Sequence, residues 1–546
     1  MTAAHAVLTL ARRGLLTPGA PWRVFEQLSL LRRWGYGLGG SLLSAAARSP
    51  SRVALISPSG SLTYRALSGL ALSLADWLRS SHGIGPGDRV GVLCHNDRDF
   101  VLSAAALSLL GADAVLINTA FSPSQVSVVV RDHGLRLVLR DPSFAVPGVS
   151  VPPHLLGFSH LAPAARAAPP APSASAAPPA PSASAAPSAP SASAAPSAPS
   201  APAARLAPPA RPGRTVVLTS GTTGTPKGAR RPHPGGPGPL AAILDRIPVR
   251  AGSRVFIAAP LFHTWGFAAL QMAFGLRASV VLSPRFSPSS ASSLVREHRC
   301  TSVFAVPVML SRLLDAGCVL PGVRVVAVSG SALPGDLAAR FMAAHGPVLY
   351  NLYGSTEVSW ASVATPDELL RSPGTAGRPP HGTRLAVLSP SGSPVPAGVV
   401  GRIFVGNSML FDGYAGGGPV TPSLTDGLLA TGDLGVLDDS GLLTVVGRED
   451  DMVISGGENV FPSSVEDLLA TLDGVREVAV VGVPDPEFGA RLAAFVVRSP
   501  SSTLSADDVR DHVRRFGARF AVPRDVHFVA ALPRTATGKV IKRDLL

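Results

Sequence analysis

Apolar residues recur at helical spacing from Leu67 through Leu70, Ala71 and Leu74 to Leu78, directly after Thr63, a residue type that caps helices. The punctuation Gly85-Pro86-Gly87-Asp88 then gives way to an apolar run at 90–93, which predicts a buried strand. A helical pattern follows over about 99–110, Gly111 ends it, and 114–117 predicts the next strand. Strand, helix and strand at this spacing imply a parallel sheet. Apolar runs at 255–258, 280–282, 303–306 and 323–328 predict further buried strands. The fold class expected is α/β, with a large N-terminal domain of wound β-sheets and flanking helices. After about residue 452 the pattern changes. Strands at 478–483, 492–497 and 526–529 and a helix at 507–516 predict a small, mobile α+β C-terminal domain. The polar run Gly447-Arg448-Glu449-Asp450-Asp451 reads as the hinge between the two.

Residues 162–213 break every pattern. From 162 to 205 there is no Leu, Ile, Val, Phe, Tyr or Trp, and a nine-residue Ala/Pro/Ser unit repeats at 170–178, 179–187 and 188–196. Such a segment buries too little apolar surface to offset its ordering entropy, so a disordered surface insertion is expected. The organisation expected is a basic N-terminal segment (1–50), a large domain (51–447, with the insertion 162–213), a hinge (448–451) and a C-terminal lid domain (452–546).

The chain has 546 residues, enough for two to four domains. Cys94, Cys300 and Cys318 are too few and too scattered for a disulfide scaffold or a metal finger, which fits a reducing, cytoplasmic setting. No apolar run is long enough to span a membrane, and the N-terminus lacks the charge pattern of a signal peptide. The net charge is +13, but +5 of it lies in 1–50 and +3 in 162–213, without any nucleic-acid-binding signature. A nucleic-acid partner is not expected. Weak peripheral contact of 1–50 with the inner membrane face is the one surface role that this charge suggests. Of the 48 basic residues three are lysines, Lys227, Lys539 and Lys542, and the remaining 45 are arginines. A lysine in such a chain marks a place where a compact ammonium is wanted.

The sharpest motif is Thr219-Ser220-Gly221-Thr222-Thr223-Gly224-Thr225-Pro226-Lys227-Gly228, after an apolar strand at 215–218. Its glycines let backbone amides approach a ligand, its hydroxyls donate, and Lys227 adds charge, a combination suited to phosphate. It lacks the Gly-Lys-Ser/Thr ending of the common nucleotidase loop.

This loop resembles the phosphate-binding motif of the adenylate-forming superfamily, which includes acyl-CoA synthetases, peptide-synthetase adenylation domains and luciferases. Further motifs of that superfamily follow in order. Ser329-Gly330-Ser331-Ala332 resembles the loop beside adenine. Asn351-Leu352-Tyr353-Gly354-Ser355-Thr356-Glu357 resembles the segment whose aromatic ring packs on adenine, whose threonine touches phosphate and whose glutamate binds magnesium. Thr431-Gly432-Asp433 resembles the ribose-binding motif, and 447–451 resembles the hinge motif, with Arg448 near ribose and Asp451 as pivot. Pro533 to Lys539 resembles the segment carrying the catalytic lysine. Singly, Glu357 reads as a helix cap, Asp433 as a turn residue and Lys539 as a solvated charge. In this order they read as one site.

The resemblance implies ATP and coenzyme A as co-substrates and Mg2+ on Glu357. Ser455-Gly456-Gly457-Glu458 resembles the loop that lines the pantetheine tunnel in acyl-CoA synthetases. Pro260 to Phe267 resembles the acid-binding segment, with Phe262, Trp265 and Phe267 as apolar lining and His263 near the carboxylate. No cationic residue stands ready for an amino acid or a second carboxylate, so a medium- or long-chain fatty acid is the expected substrate, as in bacterial fatty-acid–CoA ligases. The alternatives are another hydrophobic acid such as an aryl acid, an acyl-AMP ligase that loads a carrier protein, and a non-enzymatic nucleotide- or acyl-binding protein. Two positions depart from the superfamily pattern: Ala521 and Asp450 stand where relatives often carry lysine.

Overall fold

The computed structural model describes residues 3–150, 206–219, 227–415, 424–455, 458–485, 489–535 and 538–546. Most of the insertion therefore lies outside the described residues, as does the heart of the 219–228 motif.

Thr63 caps the helix Tyr64–His82 by accepting the amide of Ala66 (3.2 Å), and Gly83 ends it at φ 61°. Leu67, Leu70, Ala71, Leu74 and Leu78 form its buried face. Asp97 caps the helix Arg98–Leu110, and Gly111 ends it at φ 71°. The strands Arg89–Leu93 and Asp113–Leu116 on either side of that helix pair in parallel. The expected strand–helix–strand unit is therefore present within one residue of each boundary.

Two sheets carry the large domain. One runs, in spatial order, Ser362–Ala364, Leu349–Tyr353, Val325–Val328, Ser302–Ala305, Arg254–Ile257, Ser279–Leu282, Val53–Ser57 and Gly60–Thr63. Its six inner strands are parallel; only the first and the last pair antiparallel. The other runs Tyr414–Ala415, Lys227–Arg231, Thr215–Thr219, Asp113–Leu116, Arg89–Leu93 and Leu137–Arg140. Strands buried on both faces read as unbroken apolar runs, which is why they were legible before the structure. A third, antiparallel sheet of Arg384–Leu388, Gly401–Gly406, Leu428–Leu437, Leu424–Thr425 and Leu443–Arg448 had no such signal. Its strands mix buried and half-exposed positions and carry glycines and charges along their length.

Packing does not stop at residue 50. Helices Ala3–Arg12, Pro21–Trp34 and Leu38–Arg48 precede the first strand, and Leu10, Leu38 and Leu42 belong to the same apolar core as the large sheet. Leu42 is fully buried, and its helix packs on Tyr64–His82, Arg98–Leu110 and Thr264–Gly275. The C-terminal part has its own core around Leu469, Val480, Val496, Val509 and Val513. Its strands Val475–Asp485, Gly489–Arg498 and Asp525–Phe528 form a three-stranded sheet beside the helices Pro462–Ala470 and Ala506–Phe516. Among the described residues no helix is long and apolar enough to cross a membrane.

Leu42→Ala removes a fully buried side chain from a segment that the charge pattern alone marks as peripheral. We expect a loss of about 2–5 kcal/mol, seen as a lowered thermal midpoint of the large-domain transition. A midpoint unchanged from the parent would show that the N-terminal helices do not share this core.

Candidate active site

Parallel strands present their connecting loops at one edge, and ligands bind beyond the carboxyl ends of such strands. Arg254–Ile257, Ser302–Ala305, Val325–Val328 and Leu349–Tyr353 all run in parallel. Three of the predicted segments therefore leave the same edge: 260–267 after the first of these strands, 329–332 after Val325–Val328, and 354–357 after Leu349–Tyr353. Ser329 is buried, and Gly330 turns at φ 98°. Asn351 is buried within its strand. A Cβ on Gly354 would lie 2.5 Å from the Ser359 carbonyl, so only glycine lets the chain fold back there.

Tyr353 Oη donates to Asp433 Oδ2 at 2.5 Å and lies 3.3 Å from Thr431 Oγ1. The Asp433 amide donates to Thr431 Oγ1 (3.1 Å), which fixes the turn of Thr431-Gly432-Asp433. Asp433 also stands opposite Arg448 in the antiparallel ladder between Leu428–Leu437 and Leu443–Arg448. Burial raises the Asp433 carboxyl above its ordinary range, opposed by the bond from Tyr353 and by the charges of Arg448 and Lys539. Burial, reinforced by the Asp433 charge, raises the Tyr353 phenol. The phenol therefore keeps its proton and donates it.

Glu357 Oε1 accepts from Tyr414 Oη at 2.9 Å, and its amide donates to Ser355 Oγ. Arg231 is the nearby cation: burial lowers its guanidinium to about 10, opposed by the charge of Glu357, so it stays protonated at neutral pH. It donates to the Thr356 carbonyl (3.2 Å). Lys227 opens the strand Lys227–Arg231, with its ammonium 5.9 Å from the centroid of the Tyr414 ring. Neither Tyr414 nor Arg231 was singled out from the sequence. Tyr414 lies outside the motifs, and Arg231 is one of 45 arginines.

Thr356 Oγ1 accepts from Thr264 Oγ1 (3.2 Å), which joins the phosphate-side segment to the predicted acid-side segment. His263 stands at the N-cap of the helix Thr264–Gly275, its ring 4.7 Å from that of Phe262. Burial lowers its imidazole to about 4, and its Nε2 has no hydrogen-bond partner. The ring is neutral at pH 7. Trp265 is buried and donates to the Ala305 carbonyl (3.0 Å), so it packs the core under the segment. Phe267 lines a cavity of about 60 Å³ with Thr264, Gln271, His233, Met409 and Gly37. Of the three aromatic residues expected to line an acid pocket, Phe267 borders this cavity and Phe262 and Trp265 do not.

Lys539 is exposed on the C-terminal loop and lies near enough for its charge to act on Asp433. Gly538 beside it, at φ 82°, would place a Cβ 2.3 Å from Val308 Cγ1, so the loop rests directly on the helix Pro307–Asp315 of the large domain. Arg476 pairs with Asp315 across the same contact (3.1 Å). Asp451 lies exposed in a turn, its amide donating to the Arg448 carbonyl (3.2 Å). Thr219 ends the strand Thr215–Thr219, and Ser455 and Glu458 bound a two-stranded hairpin. Ser220, Gly221, Thr222, Thr223, Gly224, Gly456 and Gly457 lie outside the described residues. Among the described residues no group of three or more His, Cys, Asp or Glu could hold a metal ion by itself. Glu357 is a single hard carboxylate with Oε1 engaged by Tyr414, a donor set that suits magnesium shared with substrate phosphates.

Residues 42–415 match the family model described as AMP-binding enzyme, and residues 464–539 match that of the AMP-binding enzyme C-terminal domain. The chain is 30% identical over 516 residues to a feruloyl-CoA synthase of Amycolatopsis sp, covering 93% of this chain and 98% of that protein. It is 29% identical over 519 residues to the long-chain-fatty-acid–CoA ligase FadD13 of Mycobacterium tuberculosis, covering 93% and 97%. The structure of o-succinylbenzoate CoA synthetase from Bacillus subtilis in complex with its acyl-adenylate intermediate superposes with a TM-score of 0.75 at 27% identity, covering 92% and 97%.

The lowered imidazole of His263 has a consequence for stability. Its folded value lies below that of the unfolded chain, so only the unfolded state gains the proton between pH 6.5 and about 4. Stability is expected to fall across that window by at most about 3 kcal/mol, with no contribution from this group above it. His263→Gln should flatten that part of the stability–pH curve; an identical slope in the variant would refute the assignment.

Proposed function

Since the chain belongs to the AMP-binding enzyme family, we propose that it is an AMP-forming acid–CoA ligase acting on a hydrophobic carboxylic acid. One observation carries the reading: Tyr353, Arg448, Glu357 and Lys539, drawn from two separate sheets, the loop after Leu349–Tyr353 and the C-terminal loop, all lie within hydrogen-bond or charge reach of Asp433. In the first step the acid's carboxylate attacks the α-phosphate of ATP and pyrophosphate leaves. Asp433 would accept the ribose hydroxyls, and Tyr353, held against it, would present its ring to adenine. Hydroxyls of the 219–228 loop with Lys227 would cradle the departing phosphates. Thr356 would donate to the phosphate and Arg448 would stay beside the ribose. Magnesium on Glu357 would spread the phosphate charge that opposes attack. Lys539 would offset the charge that builds up on the α-phosphate and the incoming carboxylate, the kind of preorganised stabilisation on which phosphoryl chemistry depends.

In the second step the thiol of coenzyme A attacks the acyl-adenylate carbonyl and AMP leaves. Rotation about Asp451 would withdraw Lys539 and bring 455–458 to the cleft, separating the two reactions in time. A neutral His263 suits the acid side, since it can donate one hydrogen bond to the acid without holding it as a fixed ion pair.

A medium- to long-chain fatty acid is the first reading of the acid, supported by the similarity to a fatty-acid–CoA ligase. A compact aryl acid is the second, favoured by one observation: the cavity beside Thr264 and Phe267 is small, about 60 Å³, and Gly37 and His233 both border it. A Cβ on Gly37 would meet the His233 ring at 2.5 Å, so the ring stands directly against the backbone on that side.

Pyrophosphate and AMP release should be followed with ATP, magnesium and a panel of acids from acetate to oleate and ferulate, with and without coenzyme A. We expect coenzyme-A-dependent AMP release with at least one acid, reduced roughly 10²–10³-fold by Lys539→Ala. Pyrophosphate release that never becomes coenzyme-A-dependent would replace the reading with carrier-protein loading. Absence of pyrophosphate release with every acid would favour a nucleotide- or acyl-binding protein.

A further inference from the structure

Away from the motif residues, a cleft of about 380 Å³ opens between the N-terminal helices and the large sheet. Six arginines line it: Arg12, Arg13, Arg48, Arg52, Arg250 and Arg277. None of its lining residues is an aspartate or glutamate, and it shares no residue with the cavity beside Phe267. Among the described residues none of the six makes an ion pair, whereas arginines elsewhere, such as Arg246 with Glu368 and Arg491 with Asp525, do. Asp245, whose charge reaches Arg13, is bonded to His5 (3.0 Å).

The guanidinium groups are held in place by backbone carbonyls. Arg13 donates to Leu244 (2.9 Å), Arg48 to Thr17 (3.0 Å) and Arg52 to Gly252 (3.0 Å). Each bond uses one of five N–H groups and leaves the charge unpaired. Arg277 is the most telling. It is 7% exposed, lies at φ 52° in the turn before Ser279–Leu282, and its Nη1 is buried with no partner. Burial and the neighbouring charges of Arg48 and Arg52 all disfavour its protonated form. A buried guanidinium without a carboxylate, facing two more, is costly unless something anionic enters. Arginine's planar fork matches phosphate oxygens two at a time, and six such forks exceed what one singly charged anion can engage.

We propose that this cleft is a binding site for a compact polyphosphate-type anion, delivered either free in solution or as a phosphorylated lipid headgroup. Its lining comes from the turns and helix ends 11–17, 48–52, 250–252 and Arg277, so an occupant would clamp the N-terminal helices to the large domain.

The test uses the full-length protein and the variant R12Q/R52Q/R250Q, whose three sites are exposed and lie outside the proposed active site. Inorganic tripolyphosphate is titrated calorimetrically into each, and vesicles of phosphatidylcholine with and without phosphatidylinositol 4,5-bisphosphate are sedimented with each. We expect a tripolyphosphate site that weakens at least roughly tenfold in the variant and on raising the salt, with ATP-dependent turnover unchanged. Vesicle binding that requires the three arginines, without tripolyphosphate binding, would assign the anion to the lipid source. Equal binding by parent and variant in both assays, or binding by neither, would overturn the proposal. An unchanged circular-dichroism melt of the variant keeps a folding defect from mimicking the loss.

Discussion

The hydrogen bond from Tyr353 to Asp433 is the contact on which the geometry of the cleft depends. Tyr353 ends an inner strand of the large, mostly parallel sheet, whereas Asp433 lies in the antiparallel sheet that follows it. The bond closes 80 residues of chain into one register and places Arg448, across the ladder, on the same side as Asp433. A carboxylate in such a half-covered position would lose its charge on burial. The phenol donor and the two cations oppose that loss, although burial remains the larger influence.

The same balance repeats at Glu357. Tyr414 donates to one carboxylate oxygen, and the covered guanidinium of Arg231 lies close enough for the two charges to act on each other. Each acidic residue of the cleft is thus paired with a tyrosine and a cation from a different part of the chain. The proposed acid side is built the opposite way. His263 is half-buried, neutral and without a partner at Nε2, in a segment packed by Phe262 and Trp265. Charge is concentrated where phosphate would lie and withheld where the acid's apolar part would lie, a division that suits an anionic nucleophile approaching a polyanion.

Much of the framework was readable before the structure because its parallel strands are buried on both faces and its helices carry ordinary caps. The strands at 255–258, 303–306 and 492–497 and the helices after Thr63 and around 99–110 appear within a few residues of expectation. The sheet that carries Asp433 was not readable, because strands with one half-exposed face and internal glycines produce no clear period. Residues 1–50 read as a basic appendage from their charge, yet they bury Leu10, Leu38 and Leu42 in the main core. Charge counts the exposed face of an amphipathic helix and misses the face that packs. Trp265, expected among the pocket lining, donates its indole N–H to the Ala305 carbonyl, a partner that residue type alone does not give.

The sequence by itself determined the α/β class, the order of the motifs and the residue types that phosphate, ribose and magnesium chemistry would require. These follow from local period and from functional groups, which need no knowledge of distant neighbours. Only the tertiary structure decided which tyrosine answers which carboxylate, that Arg231 stands by Glu357, and that six arginines from four separate segments face one cleft without an ion-pair partner among the described residues. Each of these is a relation between residues tens to hundreds of positions apart. Electrostatic free energy depends on distance in space and on burial, neither of which is written in the spacing along the chain.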